Sequence, residues 1–395
     1  MRDITMDRKI IKHDQEMMRK VNKQNILDLI REKSPISRAE LANLTKMSPT
    51  SVSRIVSELM ALGLIKESEF ASGKVGRKAL LLDTIPDSIY VISIQIDRTI
   101  LRFGIIDFNG SIVKQHSVIY NAHELNWTDI ADLVCRGITQ ITKDTAINTQ
   151  NIIGLGVGVP GLIDTTNGLV LLSPQLRWEN VNLAKYLKEK TGYDTIIENI
   201  IKAKALAENT YGLAKNKKLV AFVHFGSGVG SALIMNSKIY RGVTNSAGEI
   251  GHTTIDPNGR LCDCGRRGCL QTYITEHALM QEARTIKNIS SIQEIYDASD
   301  NNERWAQEIL NKLYIYMSIT ICNTICMYNP DSVIISGKLT ERPQNIETII
   351  KNKVNDLILP QFKGSYELNR STLGESSGLL GISILCINKY LSIEL

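Results

Sequence analysis

One histidine and three cysteines form the sequence feature with the clearest chemistry: His252, followed by Cys262, Cys264 and Cys269. Glycine and arginine separate the cysteines, so this stretch is too polar and turn-rich to be a hydrophobic core. Neighbouring arginines favour thiolates, and one imidazole with three thiolates is the closed tetrahedral set of a structural Zn²⁺ site. The alternative is a disulfide between two of these cysteines, which a reducing compartment disfavours.

Length and composition indicate an ordinary globular protein. The 395 residues allow two or three domains, and 43% hydrophobic with 22% charged residues exclude disordered, collagen-like and coiled-coil classes. The longest nearly apolar stretch, residues 152–163, is too short to span a membrane. The charged first residues lack the apolar core of a secretory signal. With few cysteines as well, we expect a cytoplasmic protein without membrane contact.

Positive charge is concentrated at the start of the chain. Residues 1–82 contain 16 Lys and Arg against 10 Asp and Glu, whereas the remainder carries a net charge of −1. A basic head on a neutral body is typical of a nucleic-acid-binding domain attached to a sensing or catalytic one. A merely solvated basic surface has the same composition, so charge alone does not separate the two interpretations.

Residues 1–85 are predicted to form a winged helix-turn-helix. Apolar spacing from Asn25 to Ile30 indicates a first helix. Ser37 and Glu40 form a capping box for a short second helix. Ser48 caps a third helix that starts with proline and runs to about Leu62. Two strands follow, at 64–66 and 78–82, with a flexible basic loop between them.

The outer face of the third helix and the basic loop are the candidate DNA contacts. Short hydroxyls near a helix N-terminus can approach phosphates and base edges, and arginine can reach guanine or phosphate. Arg77, on the loop, suits a narrow A·T-rich minor groove. The alternative is a three-helix protein-interaction module. The candidate DNA-binding residues are Ser48, Thr50, Ser51, Ser53, Arg54, Lys74, Arg77 and Lys78.

The rest of the chain alternates strand and helix patterns, which predicts α/β lobes. Strands are expected at 90–107, 111–120, 152–159, 219–225 and 332–336, with a hairpin turn at 107–110. The glycine-rich stretch 226–230 is able to hold a phosphate or to close a tight hairpin, and the pattern alone favours the hairpin. The four cysteines outside the motif are predicted to be core residues on helices: Cys135, Cys322, Cys326 and Cys386.

Residues 246–252, Ser-Ala-Gly-Glu-Ile-Gly-His, together with the following Cys-x-Cys-Gly-x-x-Gly-Cys-Leu, resemble the signature of the ROK family of repressors and sugar kinases. Glycine blocks at 157–161, 226–230 and 374–381 resemble family blocks in the same order. The head resembles that of the NagC/XylR-type repressor branch. The resemblance covers essentially the whole chain.

The resemblance implies an α/β fold with an N-terminal winged helix-turn-helix and a two-lobed, actin-like, sugar-kinase-type body. It divides the chain into a head at 1–85, a first lobe at 86–198 plus 377–395, and a second lobe at 199–376 with the zinc site. A ligand cleft is expected between the lobes. Members of the family are dimers or tetramers, so a homodimer or homotetramer is expected here.

Two departures from the family's kinases argue against enzymatic activity. Those kinases begin with Asp-x-Gly-Gly-Thr, whereas residues 95–99 here read Gln-Ile-Asp-Arg-Thr, which removes the close backbone approach to phosphate. Their Glu-Asn-Asp, whose Asp is the general base, reads Glu198-Asn199-Ile200 here. Isoleucine cannot accept a proton. We therefore expect no enzyme; the alternative is a sugar kinase or ligand sensor whose head makes protein contacts.

By the same resemblance, Glu249, His252 and Asn199 face a sugar, and Gln175 and Gln271 replace the family's usual Asn and Glu. With Ile200, these changes leave the identity of the sugar open, because buried hydroxyl pockets discriminate strongly. A cleft without a small ligand, regulated by a partner protein, is the alternative. The sequence thus predicts a repressor of carbohydrate-use genes that binds double-stranded operator DNA and responds to a sugar or sugar derivative.

Overall fold

The computed structural model describes residues 4–70, 80–143, 145 and 147–394. The head consists of three helices and a small antiparallel sheet of strand order β1–β3–β2, as a winged helix requires. Its elements are α1 (Ile4–Lys33), β1 (Ile36–Ser37), α2 (Arg38–Thr45), α3 (Pro49–Ala61), β2 (Ile65–Phe70) and β3 (Leu80–Thr84).

The predicted N-terminal caps of α2 and α3 are both confirmed. The Ser37 hydroxyl accepts a hydrogen bond from the Glu40 backbone at 3.2 Å, and the Glu40 carboxylate accepts one from the Ser37 backbone at 2.9 Å. At α3, the Ser48 hydroxyl accepts a hydrogen bond from the Ser51 backbone at 3.2 Å. The Glu58 carboxylate joins α3 to α1 through an ion pair of 2.9 Å with Lys23.

The first helix differs from its prediction, because α1 begins at Ile4 rather than near Asn25. Residues 4–24 show no clear apolar stripe, but they are rich in Lys, Arg, Met and Gln, which favour helix without one. Strand β1 was also missed, since its two residues, Ile36 and Ser37, form a strand only by pairing with β3.

The first lobe is built on a five-stranded sheet of order β11–β7–β4–β5–β6, in which β7 runs parallel to β4 and β11. The confirmed 107–110 turn joins β5 to β6. The elements are β4 (Tyr90–Ile96), β5 (Ile100–Asp107), β6 (Ile112–Ile119), α4 (Trp127–Thr142), β7 (Ile152–Val159), a small antiparallel sheet of β8 (Leu162–Asp164), β9 (Leu169–Ser173) and β10 (Trp178–Val181), α5 (Leu183–Thr191) and β11 (Thr195–Asn199).

The second lobe contains a five-stranded sheet of order β14–β13–β12–β15–β16. Its helices form one large apolar core against that sheet. The elements are β12 (Leu219–Phe225), β13 (Val229–Met235), β14 (Lys238–Ile239), α7 (Gln271–Ile274), α8 (Glu276–Arg284), α9 (Ile292–Asp300), α10 (Arg304–Tyr328), β15 (Ser332–Ser336), α11 (Ile346–Leu357) and β16 (Glu367–Arg370).

Two helices, α6 (Ile200–Tyr211) and α12 (Ser377–Glu394), pack against each other between the sheets. Glycine allows α12 to approach the first sheet closely, because a Cβ at Gly156 would lie 2.2 Å from the Ile382 side chain. The observed layers are the predicted α/β architecture. The exact domain boundaries at residues 85, 198 and 376 stay predictions.

The core of the head continues into the body. Cys386, Ile387 and Leu391 of α12, and Phe108 of the β5–β6 turn, belong to the same buried apolar cluster as Ile26, Leu27 and Ile30 of α1. The head is thus packed onto the first lobe rather than linked to it by a free tether.

The prediction that all four remaining cysteines are core residues is wrong for one of them. Cys322 and Cys386 are buried and Cys135 is partly buried, but Cys326 is exposed on α10. Helical spacing places Cys326 one turn after Cys322, but residues 326–328 at the end of α10 are exposed to solvent. In the described part of the chain, no helix combines the length and apolar character needed to cross a membrane.

Candidate effector cleft, metal centre and DNA-binding face

The four predicted metal ligands come together in space. The ligand atoms of His252, Cys262, Cys264 and Cys269 all lie within 4.8 Å of one another. The His252 Nδ1 lies 3.8 Å from the Cys262 sulfur, and the Cys264 and Cys269 sulfurs are 3.6 Å apart. In a tetrahedron with zinc bond lengths, sulfur–sulfur and sulfur–nitrogen separations are both roughly 3.5–3.8 Å. The donor set therefore fits a tetrahedral ion.

Backbone contacts hold this loop in place. His252 ends a short turn, Ile250–His252, and its carbonyl accepts a hydrogen bond from the Arg266 guanidinium at 2.8 Å. Cys262 and Arg266 are joined by a backbone hydrogen bond of 2.8 Å. Glycine is required at Gly268, where φ is +69° and a Cβ would collide with the Asp256 carbonyl.

Two thiols of the cluster, Cys264 and Cys269, have pKa values shifted in opposite directions. Burial raises the pKa of the Cys264 thiol, but hydrogen bonds from Arg266 outweigh that effect and bring the pKa to about 6. For Cys269, burial and the neighbouring thiols both raise the pKa. Three thiolates this close repel one another without a cation between them, so the chemistry of the cluster favours a bound metal.

A cleft of about 830 Å³ lies next to the metal cluster. Strand ends and loops of both sheets line it, together with the first turns of α6. All five residues predicted to contact an effector lie on its wall: Gln175, Asn199, Glu249, His252 and Gln271. Their contact with a sugar stays a prediction.

Two of these side chains already have partners within the protein. The Asn199 side-chain oxygen Oδ1 accepts hydrogen bonds from the Ile201 and Lys202 backbone at 2.8 and 3.2 Å, so Asn199 caps α6. Its amide donates to the Gly161 carbonyl at 2.8 Å. The Gln271 amide lies 3.3 Å from the Cys262 sulfur. Gln271 therefore joins the cleft wall to the metal cluster.

Several charged groups of the cleft were missed by the sequence analysis. Burial lowers the pKa of Lys202, whose ammonium donates to the carbonyl and side-chain oxygens of Asn245. Beside it lies Glu249, which the sequence did predict; burial raises its pKa, and the nearby His252 and Lys202 partly offset the rise. No local pattern in the sequence marks such residues, because tertiary packing alone brings them to the cleft. The other missed charged or titratable groups include Arg98, His123, Lys204 and Arg260.

Two positions that the resemblance associates with kinase catalysis, Gln95 and Ile200, carry uncharged side chains here. Ile200 opens α6 at the cleft, and Gln95 lies buried at the end of β4. Gly226 and Gly228 close a tight hairpin between antiparallel β12 and β13, joined by a 3.0 Å backbone hydrogen bond. The hairpin interpretation of the 226–230 stretch is thus confirmed.

The third helix of the head presents a polar outer face. Val52, Ile55, Val56 and Leu59 are buried, whereas Ser48, Thr50, Ser53 and Arg54 are exposed. The Ser48 and Ser51 hydroxyls are hydrogen-bonded to each other at 2.9 Å. In the described residues, Arg54 has no ion pair and is available to a ligand. The predicted loop contacts Lys74, Arg77 and Lys78 lie outside the described residues.

The sequence model of the ROK family matches residues 91–389. The chain belongs to the ROK family. A second model, described as winged helix-turn-helix DNA-binding, matches residues 20–66 of the same chain. This ROK protein therefore carries its winged helix directly before the family body.

Individual relatives agree with this assignment. The xylose repressor of Bacillus spizizenii is 31% identical over 96% of this chain and 98% of its own length. A solved ROK family transcriptional regulator, described as a homologue of the Escherichia coli MLC protein, has a TM-score of 0.81 at 24% identity and covers 95% of this chain and 97% of its own. A ROK family glucokinase from Streptomyces griseus, solved with glucose and AMPPNP, has a TM-score of 0.67 at 22% identity and covers 75% of this chain and 98% of its own.

Proposed function

We propose that this ROK protein is a sugar-responsive transcriptional repressor that binds the operator DNA of carbohydrate-use genes. The observation that carries the proposal is the joining of a winged helix, with a polar recognition face on α3, to a body with a cleft of about 830 Å³, which lies within the range of small-molecule sites. The match to a xylose repressor over nearly the full length of both chains supports it.

DNA recognition is assigned to the outer face of α3 and to the predicted loop. Thr50, Ser53 and Arg54 meet base edges and phosphates in the major groove, while Arg77 reaches the neighbouring minor groove. A dimer or tetramer of the protein presents two heads to half-sites about 34 Å apart, one turn of DNA. The proposed DNA recognition takes place in the cytoplasm.

The proposed effector is a sugar or sugar derivative held by Gln175, Glu249 and His252 in the cleft. Xylose is the first sugar to examine, because the Bacillus relative is named for it. The metal cluster holds a structural Zn²⁺, which fixes the loop that carries His252. Binding of the sugar lowers operator affinity through a preference for one of two body conformations.

Fluorescence anisotropy of the purified protein on its own upstream DNA tests the proposal. We expect selective binding that weakens steeply with salt and that xylose or another sugar releases. Absence of sequence-selective binding to genomic fragments, or selective binding that no sugar or sugar derivative alters, contradicts it.

Sugar phosphorylation is the competing activity, because the glucokinase shares the body fold. Isoleucine at position 200 cannot act as a general base. We therefore expect no transfer of phosphate from ATP to xylose, glucose or N-acetylglucosamine above the rate without protein. Measurable phosphosugar formation by the pure protein would establish a kinase instead.

Replacing Gly228 by alanine should weaken effector binding while preserving the fold. A Cβ at Gly228 would lie 2.4 Å from the Gln175 amide nitrogen, so this flexible side chain must move out of its position on the cleft wall. Loss of one hydrogen bond to a sugar corresponds to about tenfold weaker affinity. Isothermal titration calorimetry with the releasing sugar measures the change.

Gly230→Ala is the matched control, because its Cβ would meet Ile201 at an ordinary 3.4 Å. The control should bind the sugar like the natural protein. If both variants bind the sugar as tightly as the natural protein, Gln175 does not contact the effector.

A further inference from the structure

Helix α6 connects the cleft to the side of the body on which the head is packed. It begins at the cleft, where Asn199 caps it and where Ile200, Ile201, Lys202 and Lys204 line the wall. It ends at Tyr211. Twelve helical residues span about 18 Å and move as one unit, so a displacement at the first turn reaches the last.

The end of α6 rests on the turn between β5 and β6. A Cβ on Gly110 would lie 2.4 Å from the Tyr211 hydroxyl, so the turn and the tyrosine are in close contact. The Asp107 carboxylate stabilises the turn by accepting hydrogen bonds from the Asn109 and Ser111 backbone at 2.9 and 2.8 Å. A movement of Tyr211 therefore acts on a turn whose shape is held by its own hydrogen bonds.

Arg31 of α1 contacts this same turn from the head. Its guanidinium donates a 3.0 Å hydrogen bond to the Phe108 carbonyl and lies 4.8 Å from the centre of the Phe108 ring. Burial raises the pKa of the Tyr211 hydroxyl, and the nearby positive charge of Arg31 partly offsets the rise. The turn is thus contacted by Tyr211 at Gly110 and by Arg31 at Phe108.

We propose that Arg31 is the residue through which the cleft controls the head. An effector that moves the first turn of α6 displaces Tyr211 against Gly110 of the turn. Phe108 of the same turn then moves Arg31, and Arg31 turns α1 together with the rest of the head. Arg31 positions the head and touches neither DNA nor effector. The biological role of this link rests on the function proposed above, whereas the link itself is a property of the fold.

The apolar cluster shared by α1 and α12 offers a second route between body and head, because α12 also packs against α6. The two routes make different predictions. If α12 transmits the movement, removal of the Arg31 guanidinium leaves the communication unchanged. If Arg31 transmits it, that removal uncouples the cleft from the head while both keep their folds.

A double-mutant cycle on the full chain, without DNA or sugar, separates the routes. Asn199→Ala removes the cap of α6 at the cleft, and Arg31→Met removes the guanidinium but keeps an unbranched stem. Hydrogen–deuterium exchange of residues 24–33 is measured in the natural protein, both single variants and the double variant. Lys33→Met is the matched control, since Lys33 is exposed on the same helix.

We expect Asn199→Ala to speed exchange in residues 24–33 about tenfold in the natural and Lys33→Met backgrounds, but less than about twofold in the Arg31→Met background. The same loss is expected with Tyr211→Phe, which deletes a single hydroxyl and keeps the fold. Equal acceleration in all backgrounds, or none in any, would overturn the assignment of Arg31.

Operator binding then links the result to function. In the natural protein, the ratio of operator Kd values with and without xylose is expected within about 5–150-fold, and Arg31→Met should bring the ratio close to one. A natural protein that binds no operator or ignores every sugar refutes the proposed function, while the exchange cycle still decides on Arg31. A ratio that Arg31→Met leaves unchanged refutes the coupling role.

Discussion

A protein with serine in place of Cys264 should contain no zinc. Native mass spectrometry of the natural protein is expected to give about one Zn²⁺ per chain, and the Cys264→Ser protein less than about a tenth of that. The hydroxyl of serine stays protonated at neutral pH and does not replace a thiolate as a ligand. The three remaining ligands, His252, Cys262 and Cys269, leave the tetrahedron open to water.

The loss of metal should extend to stability and to the sugar response. Because the cluster fixes the loop carrying His252 on the cleft wall, the free energy of unfolding should fall by more than about 3 kcal/mol. Sugar should no longer release operator DNA. Chemical denaturation and the anisotropy assay measure the two effects.

Cys326→Ser is the matched control, since Cys326 is a free, exposed cysteine on α10 outside the cluster. It should keep its zinc, its stability and its response. Full zinc content in Cys264→Ser would remove Cys264 from the set of ligands.

Arg54→Ala should weaken operator binding by about tenfold to a hundredfold for each head that contacts DNA. Arg54 is exposed on α3 and has no ion pair in the described part of the chain. Its guanidinium is therefore free to meet guanine or phosphate without first losing a partner. Stability should change by less than about 0.5 kcal/mol, because the residue is exposed.

The salt dependence of Arg54→Ala distinguishes the two kinds of contact. A lost phosphate contact reduces the slope of log Kd against log salt by about one and affects all sequences alike. A lost guanine contact leaves the slope but relaxes selectivity at one base pair. Arg304→Ala, which removes a charge of equal sign from an exposed body helix, is the control. Identical operator affinity for Arg54→Ala and Arg304→Ala would place α3 outside the interface.

Features that depend on neighbours in sequence were predicted well. The capping box of Ser37 and Glu40 and the Ser48 cap with its following proline are confirmed, since each needs only three or four residues to form. The clustering of His252 with the three cysteines was predicted for the same reason, because a loop of 18 residues supplies all four side chains. The 226–230 hairpin follows from local glycine chemistry as well.

Features that depend on long-range packing were not predictable in the same way. Lys202 and Lys204 look like ordinary exposed lysines of a helix, and only the packing of α6 at the cleft buries Lys202 and half-buries Lys204. The hydrogen bonds of the Asn199 and Gln271 side chains were not predictable either, because only the fold brings their partners, Gly161 and Cys262, next to them. The head's dependence on α12 leaves no trace in residues 1–85.

That dependence has a consequence for the order in which the protein is made. Cys386, Ile387 and Leu391 complete the buried cluster that contains Ile26 and Leu27, yet a ribosome synthesises them hundreds of residues later. Part of the apolar surface of the head therefore stays exposed during translation until α12 has been synthesised. A message cut short, or a chain stalled before α12, cannot yield a fully packed DNA-binding head. We therefore expect the head to reach its full packing only after the body has been synthesised.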